Sequence, residues 1–218
     1  MSIENMSIQE LESMESYIPE VGGFPSRVMA ATRGYDTWIS KLYSDIDHII
    51  KSCIFPTASY RQNDPEDRYN VDIANTLSTM GYQAHHDKWK NGHPDIVVES
   101  HRGYQWIGES KIHSDYNYLL EGFRQLTTRY SSGFIAQNHG AILIITKNRS
   151  IKDLMSNWEN KLISSEYSDV AVQKCTIDDD CFISTHTHQV SGNEYTVRHI
   201  PISILFNPTD KSARKNKA

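Results

Sequence analysis

Ala141-Ile142-Leu143-Ile144-Ile145-Thr146 is the stretch that most limits what this chain can fold into. An apolar run without polar alternation has no face to offer water, so it reads as a strand buried on both sides. Helical patterns flank it. Asp115–Tyr130 puts Tyr118, Leu119, Phe123 and Leu126 on an inner side, and Ile151–Ile163 carries Leu154, Trp158 and Leu162. A buried strand between two amphipathic helices predicts an α/β chain whose central mixed sheet is covered by helices.

The rest of the chain fits that plan. Near the start, Gln9–Tyr17 has a short helical run that Gly22-Gly23-Phe24-Pro25 breaks. In Thr37–Ser52, Trp38, Leu42, Ile46, Ile49 and Ile50 recur at helical spacing, and Pro56 is expected to end the segment. Trp38 is expected in the core or at a dimer contact. A further helix follows, with Asn63 or Asp64 as cap, Pro65 in the first turn, and Glu66 and Asp67 at the positive end. Ile73, Ala74, Leu77 and Met80 form its stripe and Gly81 closes it. Tyr82–His86 reads as a short strand and Asn91-Gly92 as a turn. Asp95–Glu99 and Tyr104–Ile112, joined at His101-Arg102-Gly103, read as a β-hairpin. Cys181–Val190, the turn Ser191-Gly192-Asn193 and Tyr195–Ile204 predict a second hairpin or a sheet extension. There His186 and His188 alternate with Thr185 and Thr187, as on an exposed strand face. The expected organisation is an N-terminal helical extension over 1–60, a main domain with a C-terminal hairpin over 61–207, and a basic, disordered tail over 208–218.

Composition narrows the function. The 218 residues are 38% hydrophobic and 22% charged, enough for a folded core. No apolar run approaches the ~18 residues of a membrane span. Met1-Ser2-Ile3-Glu4-Asn5 lacks the basic start and apolar stretch of a secretory signal. Three cysteines, Cys53, Cys175 and Cys181, suit a reducing, cytoplasmic setting, and Cys53 is expected to pack rather than react. The spacings of ten histidines and these cysteines match no zinc finger or ribbon. Nucleophile elbow, phosphate loop and dinucleotide fingerprint are all missing. A net charge of −5 argues against tight, autonomous nucleic-acid binding, which usually needs a basic face. Lys88, Lys90, Arg102, Lys111, Arg124 and Arg129 nevertheless gather around the first hairpin.

That hairpin carries the chemistry. Asp95 opens one strand, and Glu109 and Lys111 lie in the next. Residues two apart on a strand project to one face, so Glu109 and Lys111 point the same way. Mg²⁺ needs only one or two carboxylates beside its waters. Asp95 and Glu109 can supply them, and the Ser110 carbonyl can add a ligand. Lys111 can offset carboxylate repulsion, hold an attacking water and stabilise charge on phosphorus. His93 is a candidate phosphate contact.

Pro94, Asp95, Glu109 and Lys111, read as P-D … E-x-K, resemble the PD-(D/E)XK nuclease superfamily. The likeness covers roughly Pro65–Thr146, where the order helix, three strands, helix, strand is that of the restriction-endonuclease-like core. Members often carry a further acid on the first core helix. Here it would fall near Val71, which is no carboxylate, and Asp67 is its substitute as a metal ligand. Some members have Gln followed four residues later by Tyr. In this chain the fourth residue after Gln125 is Arg129, with Tyr130 one beyond, and Gln125 and Arg129 are expected to share a helix face toward substrate phosphate. The resemblance implies a nuclease using Mg²⁺ or Mn²⁺, acting on DNA ahead of RNA, with recognition supplied by a homodimer or an activating partner protein. The alternative is a catalytically inactive module of the same fold that binds a partner protein or nucleic acid.

Overall fold

The computed structural model describes residues 3–165, 167 and 169–210. The basic residues of the expected tail, Lys211 to Lys217, lie outside them. Short α1 (Ile8–Met14) opens on a capping box, in which the Ser7 hydroxyl accepts from the Glu10 N–H and the Glu10 carboxylate accepts from the Ser7 N–H. Gly22 and Gly23, both at positive φ, then turn the chain. They also start a helix that the sequence pattern did not announce, α2 (Phe24–Arg33), with Pro25 in the first turn where no N–H is missed. α3 (Tyr35–Ile49) passes into a π-helical turn, Ile50–Ile54, and a 3-10 turn, Phe55–Tyr60. Pro56 therefore does not end the segment; it occupies the start of the 3-10 turn.

α4 (Glu66–Thr79) begins directly after Pro65, and neither Asn63 nor Asp64 caps it. Its end follows the expected glycine stop. Gly81 at φ 95 lets its own N–H reach Ser78 O and the Tyr82 N–H reach Leu77 O, both at 3.0 Å. Three antiparallel strands follow: β1 (Gln83–His86), β2 (Ile96–Glu99) and β3 (Gln105–Ile112). α5 (Tyr116–Arg124), capped by Asp115, runs into a second π-helical turn over Gln125–Tyr130. Then come β4 (His139–Thr146), α6 (Ile151–Ile163), β5 (Ala171–Lys174), β6 (Phe182–Thr187) and β7 (Glu194–Ser203). β5 is a short edge strand with mostly exposed side chains, which left no apolar pattern to read.

The seven strands form one mixed sheet in the order β1-β2-β3-β4-β7-β6-β5. β4 lies between β3 and β7, parallel to both. Helices cover both faces. Ala141, Leu143 and Ile145 join Trp38, Leu42, Ile46, Ile73 and Leu77 in one core cluster, whereas Ile142 and Ile144 join Leu119, Phe123, Leu154 and Trp158 in the other. β4 is apolar throughout because its two faces feed different cores. α3 packs in the same core as α4 and the sheet. No helix among the described residues is long and apolar enough to cross a membrane.

The β6–β7 histidines are buried, contrary to the exposed face their alternation suggested. His186 lies against the Phe123 and Tyr195 rings, and His188 reaches Ser131 Oγ at 2.9 Å. His199 accepts from Trp158 Nε1 at 3.0 Å, and its Nε2 lies 2.8 Å from Ser184 Oγ. Cys53, by contrast, is exposed rather than packed.

Arg198 on β7 is fully buried and binds Asp47 of α3 through two bonds of 2.9 and 2.8 Å. It also contacts Cys175 and Cys181 sulfur at 3.3 and 3.4 Å and lies over the Tyr43 ring. Removing one partner strands a buried charge, whereas removing both does not. Asp47→Ala is expected to cost about 3–5 kcal/mol in denaturant unfolding. Adding Arg198→Met to Asp47→Leu should recover most of the loss. A single-mutant cost below about 1 kcal/mol would mean that the pair does not lock α3 to the sheet.

Candidate metal centre

β3 outruns its partner. Pairing with β2 stops at Ile96↔Gly108, while β3 continues to Ile112. The N–H groups beyond that point need acceptors. Asp95, just ahead of β2, accepts from the Ser110 N–H at 2.7 Å, and Glu66, the first residue of α4, accepts from the Ile112 N–H at 2.7 Å. Two carboxylates thus take the place of a missing strand. The N–H and C=O of one residue leave an antiparallel edge together, so the Ser110 carbonyl faces the same side as Asp95. The Ser110 hydroxyl is turned to α4 and donates to Asn70 Oδ1 at 2.5 Å.

Glu109 and Lys111 project to the α5 side of β3. Lys111 Nζ lies 2.6 Å from Glu109 Oε1 and 3.8 Å from Glu66 Oε1. Both are buried, Glu109 at 3% exposure and Lys111 at 6%. Gly122 of α5 makes room for the lysine stem; a Cβ there would sit 2.8 Å from Lys111 Cγ. The ammonium lies 5.6 Å from the Tyr118 ring centre, within cation–π range.

Three carboxylates share one ammonium, and their acidity reflects it. Burial, then the Asp95 charge, push the Glu109 carboxyl up to about 8. Burial raises Asp95 too, against the pull of the Ser110 N–H, and raises Glu66 against the pull of Lys111. Burial alone would lower Lys111, but Glu109, Glu66 and Asp95 outweigh it and keep the ammonium charged. Glu109 Oε2 is buried without a hydrogen-bond partner. An orphaned carboxylate oxygen beside excess negative charge suits a proton or a hard cation. The donor set of Asp95, Glu109 and the Ser110 carbonyl, all oxygen, fits Mg²⁺ or Mn²⁺.

Of the residues singled out in the sequence, Asp95, Glu109, Ser110 and Lys111 come together. Asp67 does not join them. Its side chain is 78% exposed and stands 3.9 Å from His86, and Glu66 is the acid of α4 turned inward. His93 pairs with Asp87 at 2.8 Å and makes no hydrogen bond or ion pair with the cluster. Gln125 and Arg129 do not form the expected face, because the helix becomes a π-turn there. In a π-turn the bonds join i and i+5, so the residue one bonded turn beyond Gln125 is Tyr130. Arg129 is exposed, with its Nε donating to Asn91 O at 3.3 Å. Tyr130 is buried, and its acidity is weakened by burial and then by the Glu109 charge. Gln125 Oε1 is buried without a partner. A second group, Asp47, Asp178 and Cys181, has ligand atoms within 4.8 Å of one another. Arg198 and Lys51 already neutralise its carboxylates.

Glu66, Asn70 and Tyr130 were not anticipated. Glu66 and Asn70 continue the Ile73–Leu77 stripe toward the helix start, at steps of four, three and four, and that spacing marks both as inward-facing.

The raised Glu109 carboxyl has a pH signature. Between its ordinary 4.5 and about 8, the folded chain holds a proton that the unfolded chain has released. Its stabilising contribution is complete at low pH and is lost as pH rises through that window. Thermal melts of the metal-free protein should fall relative to Glu109→Gln between about pH 5 and 9, and saturating Mg²⁺ should remove the difference in slope. Parallel melting profiles of the two proteins would mean that Glu109 titrates like an ordinary surface acid.

None of the family models, curated proteins or solved structures compared with the chain matches it.

Proposed function

We propose that the chain is a metal-dependent nuclease of the PD-(D/E)XK type, hydrolysing phosphodiester bonds in DNA ahead of RNA. The observation that carries this reading is the gathering of Asp95, Glu109, Glu66 and Lys111 at the unpaired end of β3, where Glu109 and Glu66 reach the ammonium and Asp95 holds the Ser110 N–H. The order α4, β1–β3, α5, β4 supports it, being that of the restriction-endonuclease-like core.

In this reading Asp95, Glu109 and the Ser110 carbonyl would hold Mg²⁺ or Mn²⁺. Such an ion, when bound, acidifies a water and screens the phosphate charge. Lys111 stays protonated among its carboxylates, so it serves as hydrogen-bond donor and not as base. It orients the attacking water and stabilises the charge that develops on the phosphoryl oxygens. The proton released by that water needs an acceptor. Glu66 suits the role, because it is the more exposed carboxylate beside Lys111 and burial raises its basicity. Water oxygen bonds to phosphorus, the bond from phosphorus to the sugar oxygen breaks, Glu66 takes the proton of the water, and the departing sugar oxygen takes one from solvent. With a net charge of −5, substrate affinity is expected to come from a second copy or a partner protein as well as from this chain.

The test is cleavage of plasmid and single-stranded substrates with and without Mg²⁺ or Mn²⁺. Asp95→Ala and Lys111→Ala should each lower the rate by about a hundredfold or more. Glu66→Gln should lower it by about tenfold to a hundredfold, while Asp67→Asn should leave it near wild type. Cutting that survives both Asp95→Ala and Lys111→Ala would end the assignment. Metal binding without cutting would favour the inactive module.

A further inference from the structure

The acidic cluster occupies only one end of its sheet face. Ile96, Val98 and Trp106 point into the α3–α4 core, so Asp95, Val97 and Glu99 on one strand, and Gln105, Ile107, Glu109 and Lys111 on the other, share the opposite face. Next to Asp95 and Glu109 the Val97–Ile107 pair is buried, and the pair after it, Glu99–Gln105, lines a cleft of about 500 Å³. Four residues of strand separate Glu109 from Gln105, about 13 Å at ~3.3 Å per residue. Tyr130 belongs to both places: it lines the cleft and feels the charges of Glu109 and Asp95.

The loop between β1 and β2 forms the outer wall, and Trp89 stands on it. Trp38, Trp106 and Trp158 are buried, but Trp89 is 67% exposed, held edge-on by the His93 ring at 5.1 Å. The flanking Lys88 and Lys90 both reach Glu99. Opposite lie carboxamides whose Nε2 groups make weak internal bonds. Gln105 Nε2 meets Glu99 Oε1, and Gln137 Nε2 meets the Gly103 carbonyl, each at 3.4 Å, near the limit of a hydrogen bond, while Gln137 Oε1 accepts from Ser132 Oγ at 2.9 Å. A ligand can therefore take over the two Nε2 donors at little cost, while Ser132 keeps the Gln137 carboxamide oriented.

We propose that this cleft receives an unpaired nucleobase of the strand being cut, stacked on Trp89 and hydrogen-bonded by the carboxamides of Gln105 and Gln137. An indole face and carboxamides match a planar heterocycle with donors and acceptors on its edge. In a duplex that face is stacked and that edge is paired, so the site takes single-stranded or flipped-out nucleotides. The proposal rests on the nucleic-acid reading above for its ligand class.

Intrinsic fluorescence tests it, since Trp89 is the exposed tryptophan. The full chain, kept in chelator to prevent cutting, is titrated with three probes: an oligodeoxythymidylate of about twelve nucleotides, an abasic backbone of equal length, and a blunt duplex. The single strand should quench the emission, and Trp89→Ala should weaken its binding about tenfold. Trp89→Phe should keep most of the affinity, and the abasic backbone should bind wild type and Trp89→Ala alike. Gln137→Ala should change the preference among oligonucleotides of different base. Failure of all three probes to bind, binding without a change in Trp89 emission, or an affinity of Trp89→Ala equal to that of wild type for every probe would each overturn the cleft assignment. Metal-dependent cutting that is indifferent to Trp89 would sink the cleft alone. Trp89-dependent binding in a chain that never cuts would sink the catalytic reading alone.

Discussion

The end of β3 that β2 leaves unpaired is the constraint on which the centre depends. Backbone N–H groups at Ser110 and Ile112 would otherwise be buried without acceptors, and Asp95 and Glu66 supply them. The bonds that complete the sheet therefore also hold two carboxylates beside Glu109 and Lys111. Neither acid can be lost without also freeing a backbone donor, so the scaffold and the site share the same interactions. Each partner is placed by a regular element: Asp95 by its position ahead of β2, Glu66 by the first turn of α4, and Glu109 and Lys111 by strand alternation.

Two buried charge clusters in this protein have opposite balance. Arg198 meets Asp47 through two short bonds, and the pair joins α3 to β7 with its charges matched. At the end of β3, Glu109 and Glu66 reach one ammonium with the Asp95 charge nearby, and a Glu109 oxygen has no hydrogen-bond partner. A balanced buried pair is satisfied by the fold itself. An unbalanced one keeps a standing demand for positive charge, which a proton meets in part and a divalent ion meets better. That contrast separates a structural lock from a site with chemistry, although both consist of the same residue types.

Much of this was legible in the sequence. The apolar run of β4 announced a sheet covered on both sides, and the two-residue spacing of Glu109 and Lys111 announced a shared face. What escaped had physical causes. Acids in the first turn of a helix have a generic explanation in the helix dipole, which hid the inward role of Glu66. Its stripe was also hard to see, because the next member is polar Asn70. The face shared by Gln125 and Arg129 assumed α-helical spacing, and the π-turn shifted the bonded position to Tyr130. Gly22-Gly23-Phe24-Pro25 read as a stop because glycine and proline break helices, yet the same residues start α2. His186 and His188 looked exposed because alternation reports polarity, whereas aromatic neighbours brought from α5 and β7 bury them.

The β1–β2 loop runs between the acidic cluster and the cleft. Gly92, at φ 143, lies where a Cβ would come within 2.8 Å of Tyr130 and Arg129 side-chain atoms, so the loop presses directly on the π-turn. The contact requires glycine twice over, for the backbone angle and for the space. Arg129 reinforces it by donating to the neighbouring Asn91 carbonyl. The loop that delivers Asp95 to β3 therefore also carries Trp89 and rests against Tyr130. Any shift of this loop moves the acid, the exposed indole and the tyrosine together. Trp89 and Asp95 thus stand on one short loop, a few residues apart and not at opposite ends of a path across the fold.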